Sequence, residues 1–139
     1  MKTLTIEELK EEFEFLDERD RTQFIIELGD ELEDMPEELK TEENRVQGCL
    51  SNVWMVPRVE PTDPPVMTFV ADSDSVIVRG LVAIALSLCS GRTPSEIVDT
   101  DIEDVFERLH LKRYVTPMRS NGFYSMFKTI KKMAEEHAA

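Results

Sequence analysis

Ile6, Leu9, Phe13 and Leu16 recur at intervals of three and four with charged residues between them, the spacing of one apolar stripe along a helix. Thr5-Ile6-Glu7-Glu8 has the form of a capping box, in which a Thr hydroxyl and a Glu carboxylate each satisfy a free amide at a helix start. A second helix is predicted from Asp17 or Asp20. It places Phe24, Ile25, Leu28 and Leu32 on one side and stops before Pro36, whose ring opposes continuation. Residues 36–44 are charged, lack periodicity and read as a loop.

The pattern then changes. Ser51-Asn52-Val53-Trp54-Met55-Val56 and Val66-Met67-Thr68-Phe69-Val70 are rich in strand formers. Between them, Glu60-Pro61-Thr62-Asp63-Pro64-Pro65 is a turn signal that suits a hairpin. Arg45-Val46-Gln47 is available as a short third strand. Asp72-Ser73-Asp74-Ser75 offers N-cap residues to an apolar helix that Gly91 is placed to end. Thr93-Pro94-Ser95-Glu96 combines a cap, a proline at the first helical position and a boxed Glu, and Asp101 repeats the device for a helix to about Arg108. Thr116-Pro117 opens the last long helix, with Met118, Phe123, Met126, Phe127, Ile130 and Met133 for its buried side. Two helices, a small sheet, then helices: the order predicts an α+β fold, a single domain over residues 1–139, with an antiparallel sheet of about three strands packed against N- and C-terminal helices.

Composition narrows the function classes. Apolar residues at 41% and charged residues at 32% of 139 positions are enough for a globular core. Two cysteines cannot form a disulfide framework, which points to a reducing compartment. The N-terminus shows no apolar segment of the kind a secretory signal needs and is too acidic for a transit peptide. The longest apolar stretch, Val76–Cys89, is interrupted by Arg79 and too short to span a bilayer. A cytoplasmic protein is expected. The net charge of −13 argues against nucleic acid and anionic membranes as ligands. Residues 1–43 hold 17 of the 29 acids against 5 bases. That segment is either a solvated pair of helices or a docking face for a basic partner.

Cys49 is the residue with most chemical promise. It follows Gly48 on the turn into the first strand, where a residue without Cβ frees the backbone to present a side chain at a loop tip. The thiolate is the reactive form, and a cation such as Arg45 nearby in sequence would favour it. The alternative is that Cys49 is one more small buried hydrophobe. Cys89 ends a helix that is apolar almost all round and reads as core. Two cysteines 40 positions apart give neither a zinc site nor a CxxC redox pair. His137 lies in the tail, so a Cys–His pair would rest on His110 alone. Asp72 and Asp74 stand where acids cap helices far more often than they bind metal. No metal site, no phosphate-binding loop and no enzyme with its own substrate pocket is read from the chain.

Asn44-Arg45-Val46-Gln47-Gly48-Cys49-Leu50-Ser51-Asn52-Val53-Trp54 resembles the signature around the active cysteine of SufE proteins. The resemblance extends to Ile25-Ile26-Glu27-Leu28-Gly29, to Asp72-Ser73-Asp74 with Ile77-Val78-Arg79-Gly80-Leu81, to Thr93-Pro94, to the stretch from Leu111 to Pro117, and to Arg119-Ser120-Asn121-Gly122. It implies a fold like that of IscU-type scaffolds with the active cysteine on an edge loop. It also implies a sulfur carrier rather than a stand-alone enzyme. Cys49 would take persulfide sulfur from a cysteine desulfurase of the SufS type, stimulate it, and pass the sulfur to a SufBCD-type scaffold for iron–sulfur cluster assembly. The carrier itself would need no cofactor, since pyridoxal phosphate belongs to the desulfurase. Arg45, Gly48, Ser51, Asp72 and Arg119 are then candidates for arranging the loop or docking the partner. Leu50, Val53 and Trp54 would shelter the thiol at rest. A binding-only activator of a desulfurase and a redox-sensing thiol protein are the rival readings.

Overall fold

Thr5 accepts a hydrogen bond from the Glu8 amide at 3.1 Å and starts α1 (Ile6–Phe15), whose Leu9 and Phe13 are buried as the stripe requires. Asp17 caps α2 (Glu18–Asp30) in the same way, through the Asp20 amide. In this computed structural model the described residues are 5–49, 51–109 and 117–138, with side chains at all of these except 18, 102, 103, 106, 117–121 and 138. The Phe13 and Phe24 rings meet edge to face at 5.5 Å, and the Arg21 guanidinium donates to the Phe13 carbonyl, so the α1–α2 corner is fixed by both apolar and polar contacts.

The charged stretch after α2 contains a 3-10 turn at Glu37–Leu39. β1 (Val53–Glu60) and β2 (Val66–Ser73) then form an antiparallel hairpin with Val53 opposite Ser73 and Glu60 opposite Val66. The expected third strand reduces to a single bridge between Arg45 and Trp54. The reason is local: the chain turns away at Gly48, whose φ is +91°, so pairing ends after Val46.

α3 (Val76–Cys89) is capped by Ser75, ends at Ser90 just before Gly91, and is buried along nearly its whole length. It packs on α2, β2 and α6 and forms the centre of the molecule. α4 (Pro94–Val98) has the complete capping box at Thr93 and Glu96, and α5 (Ile102–Arg108) is capped by Asp101. α6 (Pro117–Ala138) buries Phe123, Met126, Phe127, Ile130 and Ala134, with Met133 half-buried. The fold is α+β. Among the described residues no helix is long and apolar enough to cross a membrane.

The α2–α3 crossing depends on two glycines. A Cβ on Gly80 would stand 2.2 Å from the Ile25 carbonyl oxygen and 2.5 Å from its Cγ2, and one on Gly29 would stand 2.9 Å from the Gly80 nitrogen. The two backbones touch, and no side chain fits between them. Alanine is ordinarily the better helix former, but here the clash dominates. Gly80→Ala is therefore expected to destabilise the protein by about 1–3 kcal/mol, the usual range for overpacking a core. Urea unfolding of the two proteins measures this, and a variant as stable as the parent would refute the close crossing.

Candidate functional site

The segment that carries Cys49 leaves the body of the protein at the bridge to β1. Val46 N–H donates to the Val53 carbonyl at 2.7 Å, Met55 N–H donates to the Asn44 carbonyl at 2.9 Å, and Val46 is buried beneath them. At Gly48 the positive φ is one reason for glycine; space is the other. A Cβ there would lie 2.4 Å from Ser125 Oγ and 3.1 Å from Ser125 Cβ, on α6. Cys49 rests on the same helix one turn earlier. Its Sγ is 3.5 Å from the Gly122 carbonyl oxygen, and a Cβ on Gly122 would stand 3.5 Å from that sulfur. Gly122 and Ser125, three residues apart on one helix face, thus form the seat on which Gly48 and Cys49 lie.

Half-burial against the apolar core pushes the Cys49 thiol above the ordinary cysteine range. Burial thus favours the protonated thiol over the thiolate. Arg45, four residues earlier, is committed elsewhere: its Nη2 is 3.0 Å from Glu42 Oε1, and its Nη1 donates to Asn52 Oδ1 at 3.4 Å. Cys89 has no exposure at all, and burial pushes its thiol up to about 12. The two cysteines differ in exposure, Cys89 wholly enclosed and Cys49 half-buried.

Asp72, in β2, does not cap α3. Its carboxylate lies 3.0 Å from Lys40 Nζ and 3.0 Å from Arg79 Nε, joining the segment after α2 to α3. The Arg79 contact is ionic only, since its N–H is not aimed along a hydrogen bond. Lys40 also pairs with Glu37 at 2.9 Å and stands 5.7 Å over the Trp54 ring. Glu37 first and Asp72 second raise the pKa of Lys40, so this ammonium is held charged. Trp54 therefore serves the Lys40 side of β1, while Val53, its neighbour on the opposite face, enters the core. Ser51 is half-buried just before β1.

The side chain of Arg119, together with Leu50 and His110, lies outside the described residues. His137 is fifteen residues beyond Gly122 on α6, about 22 Å along a helix axis, and its Nδ1 contacts the Met133 carbonyl at 2.8 Å. It cannot serve as a base for Cys49. Among the described residues no group of three or more His, Cys, Asp or Glu is arranged to hold a metal ion. An open cleft of about 430 Å³ between α1, α3 and α4, lined by residues including Ile6, Leu88, Arg92 and Thr100, shares no residue with the Cys49 segment. Gly122, Ser125 and Asn52 had no assigned role in the sequence, and Asp74 was read as a helix cap, a place that Ser75 takes. Gly122 and Cys49 are 73 positions apart, and no local pattern links them.

A family model described as SufE, Fe-S metabolism associated domain, matches residues 7–134. A SufE-like protein of Rhizobium meliloti (strain 1021), itself described as uncharacterized, is 44% identical over 133 residues, covering 94% of this chain and 95% of that one. An uncharacterized SufE-like protein of Rhizobium etli is 43% identical over 138 residues, covering 97% and 93%. The solution structure of a hypothetical protein from Thermus thermophilus matches with a TM-score of 0.79 over 98% of this chain and 97% of that chain. At 16% identity that likeness is one of fold.

The seat makes a prediction about thiol chemistry. Burial raises the Cys49 pKa, so its alkylation by iodoacetamide should have a midpoint above that of free cysteine and be slower at pH 7.5, with Cys89 unreacted. Gly48→Ala, which forces the tip off Ser125, should speed Cys49 alkylation. Mass spectrometry after timed alkylation reads both. A Cys49 midpoint below that of free cysteine would show that the thiol does not rest on α6 as described.

Proposed function

The chain belongs to the SufE family, which is associated with Fe–S metabolism, and from that premise we propose that it is a covalent sulfur carrier with Cys49 as the acceptor. The observation that carries the reading is a single half-buried thiol, held on a glycine turn against α6, beside a second cysteine that is wholly buried. The donor is the persulfide of a cysteine desulfurase of the SufS type, and the onward acceptor is an iron–sulfur scaffold of the SufBCD type. Pyridoxal phosphate belongs to the donor.

The reaction is an exchange at sulfur. Cys49 leaves the Gly122 carbonyl and gives up its proton in water, where the burial that raised its pKa no longer acts. The thiolate attacks the outer sulfur of the donor's persulfide. A bond forms between Cys49 Sγ and that sulfur, the donor's own S–S bond breaks, and the donor's cysteine departs as thiolate and takes up a proton. A thiol and a persulfide give a persulfide and a thiol, so no external oxidant or reductant is needed. Removal of its persulfide then frees the desulfurase for another turnover.

The surrounding residues serve position rather than bond-making. Gly48 lets the tip lie on α6. Asp72 with Lys40 and Arg79 braces the strand beneath the loop. Arg45 and Ser51 flank the segment, and Arg119, on α6 three residues before Gly122, is the candidate for meeting the partner. A cluster scaffold is disfavoured, because it needs several thiolate ligands and Cys89 is fully buried.

Incubation with a desulfurase and L-cysteine should add one sulfur atom to Cys49, read by intact-mass spectrometry. Cys49→Ser should take up none and should leave the desulfurase at its basal turnover. Stimulation by Cys49→Ser equal to the parent would establish an activator that works by binding alone. Ready modification by peroxide without sulfur uptake would establish a redox-sensing thiol.

A further inference from the structure

We propose that Asn52 is a positioning residue for Cys49, closing with Arg45 and Asp74 a polar clamp across the two ends of the segment that carries the thiol. The inference deepens the sulfur-carrier reading and rests on it for its purpose, though not for its geometry.

Asn52 stands immediately before β1, and Asp74 immediately after β2, one step beyond the Val53–Ser73 pair that ends the ladder. There the ladder is continued by a side chain. Asp74 N–H donates to the Asn52 carbonyl at 3.3 Å, and the Asp74 carboxylate accepts from Asn52 N–H at 3.2 Å and from Nδ2 at 2.9 Å. The remaining polar atom of Asn52, Oδ1, accepts from Arg45 Nη1 at 3.4 Å. Arg45 is in turn held by Glu42 through Nε at 3.2 Å and Nη2 at 3.0 Å. One exposed hydrogen bond contributes little. Asn52, however, engages its backbone N–H, backbone carbonyl, amide nitrogen and amide oxygen together, on two different partners.

The arrangement has a mechanical consequence. Arg45 and Asn52 lie four residues before and three residues after Cys49 and are tied to each other, so the ends of the segment are fixed. Asp74 ties the same point to the start of α3, since the next residue, Ser75, is the α3 N-cap. The distance from clamp to thiol is short, and with both ends held the thiol has few positions to choose from besides its seat on Gly122. A thiol that must be sheltered between transfers and then presented to a persulfide at a partner's surface needs that restriction. No bond of the clamp reaches Cys49 itself. Asn52 acts through the backbone.

An exchange of partners provides the test. Asn52→Asp sets two carboxylates against each other and opens the clamp. Combining it with Asp74→Asn restores a carboxylate–amide pair of the same shape, with the carboxylate now also facing Arg45. In the isolated protein, the rate of Cys49 alkylation should rise about fivefold in Asn52→Asp, the size expected when one hydrogen bond that holds a local opening is lost. In the exchanged pair it should return to the parent rate, with Cys89 unreacted and the melting temperature little changed throughout. Should Asn52→Asp fail to fold, Arg45→Met, which removes the bond across the neck together with the exposed pair to Glu42 but leaves the Asn52–Asp74 bonds, should show a smaller rise. A parent-like rate in the single variant, or an exchanged pair as reactive as the single, overturns the clamp. Sulfur loading from a desulfurase, measured on the same proteins, keeps the two readings separate. If no variant and no parent protein takes up sulfur while the alkylation pattern holds, the carrier reading fails and the clamp stands.

Discussion

The contact between the Gly48–Cys49 tip and α6 is the constraint around which the site is arranged. Ser125 occupies the space a Cβ on Gly48 would need, and the Cys49 sulfur lies against the backbone of Gly122. Such a fit removes part of the sulfur from water, and desolvation disfavours the thiolate over the thiol. Shelter and reactivity are therefore opposed by the same cause. A sulfur atom resting here is a weak nucleophile and a poorly accessible one, and it gains both nucleophilicity and access only by leaving. That opposition suits the carrier role proposed for Cys49, in which the thiol would react only with a partner.

The seat and the loop are positioned by different parts of the chain, and α3 holds them together. α3 packs on α2 so closely that Gly29 and Gly80 are required, on β2 along one flank, and on α6 along another. Its start is tied through Ser75 and Asp74 to Asn52, and Arg79 near its start reaches Asp72 of β2. Displacing α3 would move the clamp and the seat relative to each other. The buried helix, apolar over almost all its surface, thereby acts as the reference for a site to which it gives no reacting atom.

Much of this was readable along the chain, and the reason is locality. Thr5, Thr93 and Asp101 cap the helices they were expected to cap, and of the two acids offered for α2 it is Asp17, because a cap and its amide are three residues apart. The hairpin follows from two β-rich runs and a proline-rich turn. The third strand shrank to one bridge because Gly48 spends its backbone freedom on the turn, an outcome a propensity for extended structure does not register. Arg45 stands close to Cys49 in sequence, which suggested a cation for the thiolate, yet Glu42 and Asn52 hold its guanidinium. Asp72 read first as a helix cap, with a docking role only by resemblance, whereas its carboxylate pairs with Lys40, 32 positions away. Gly122 and Ser125 carry no signal in their own neighbourhood, since what matters is the tip that lands on them. Local chemistry left Cys49 open between a reactive thiol and a small buried hydrophobe, and only tertiary structure shows its seat on α6.

The contrast between the two cysteines bears on why a carrier would keep only one of them accessible. A persulfide on Cys49 is itself open to attack by a thiolate. A second accessible cysteine in the same chain, attacking Cys49 Sγ, would form an intramolecular disulfide and expel the outer sulfur as hydrosulfide, so the cargo would be lost before delivery. Cys89 is removed from that reaction twice. It has no exposed surface, and its thiol is pushed up to about 12, leaving a negligible thiolate fraction at neutral pH. The helix that fixes the site thus also disarms the one group in the chain able to discharge it. A thioredoxin-type dithiol is built to be resolved by its second sulfur. If Cys49 carries a persulfide as proposed, this chain, with one thiol at a glycine turn and the other wholly enclosed, leaves the outer sulfur no exit by way of its second cysteine.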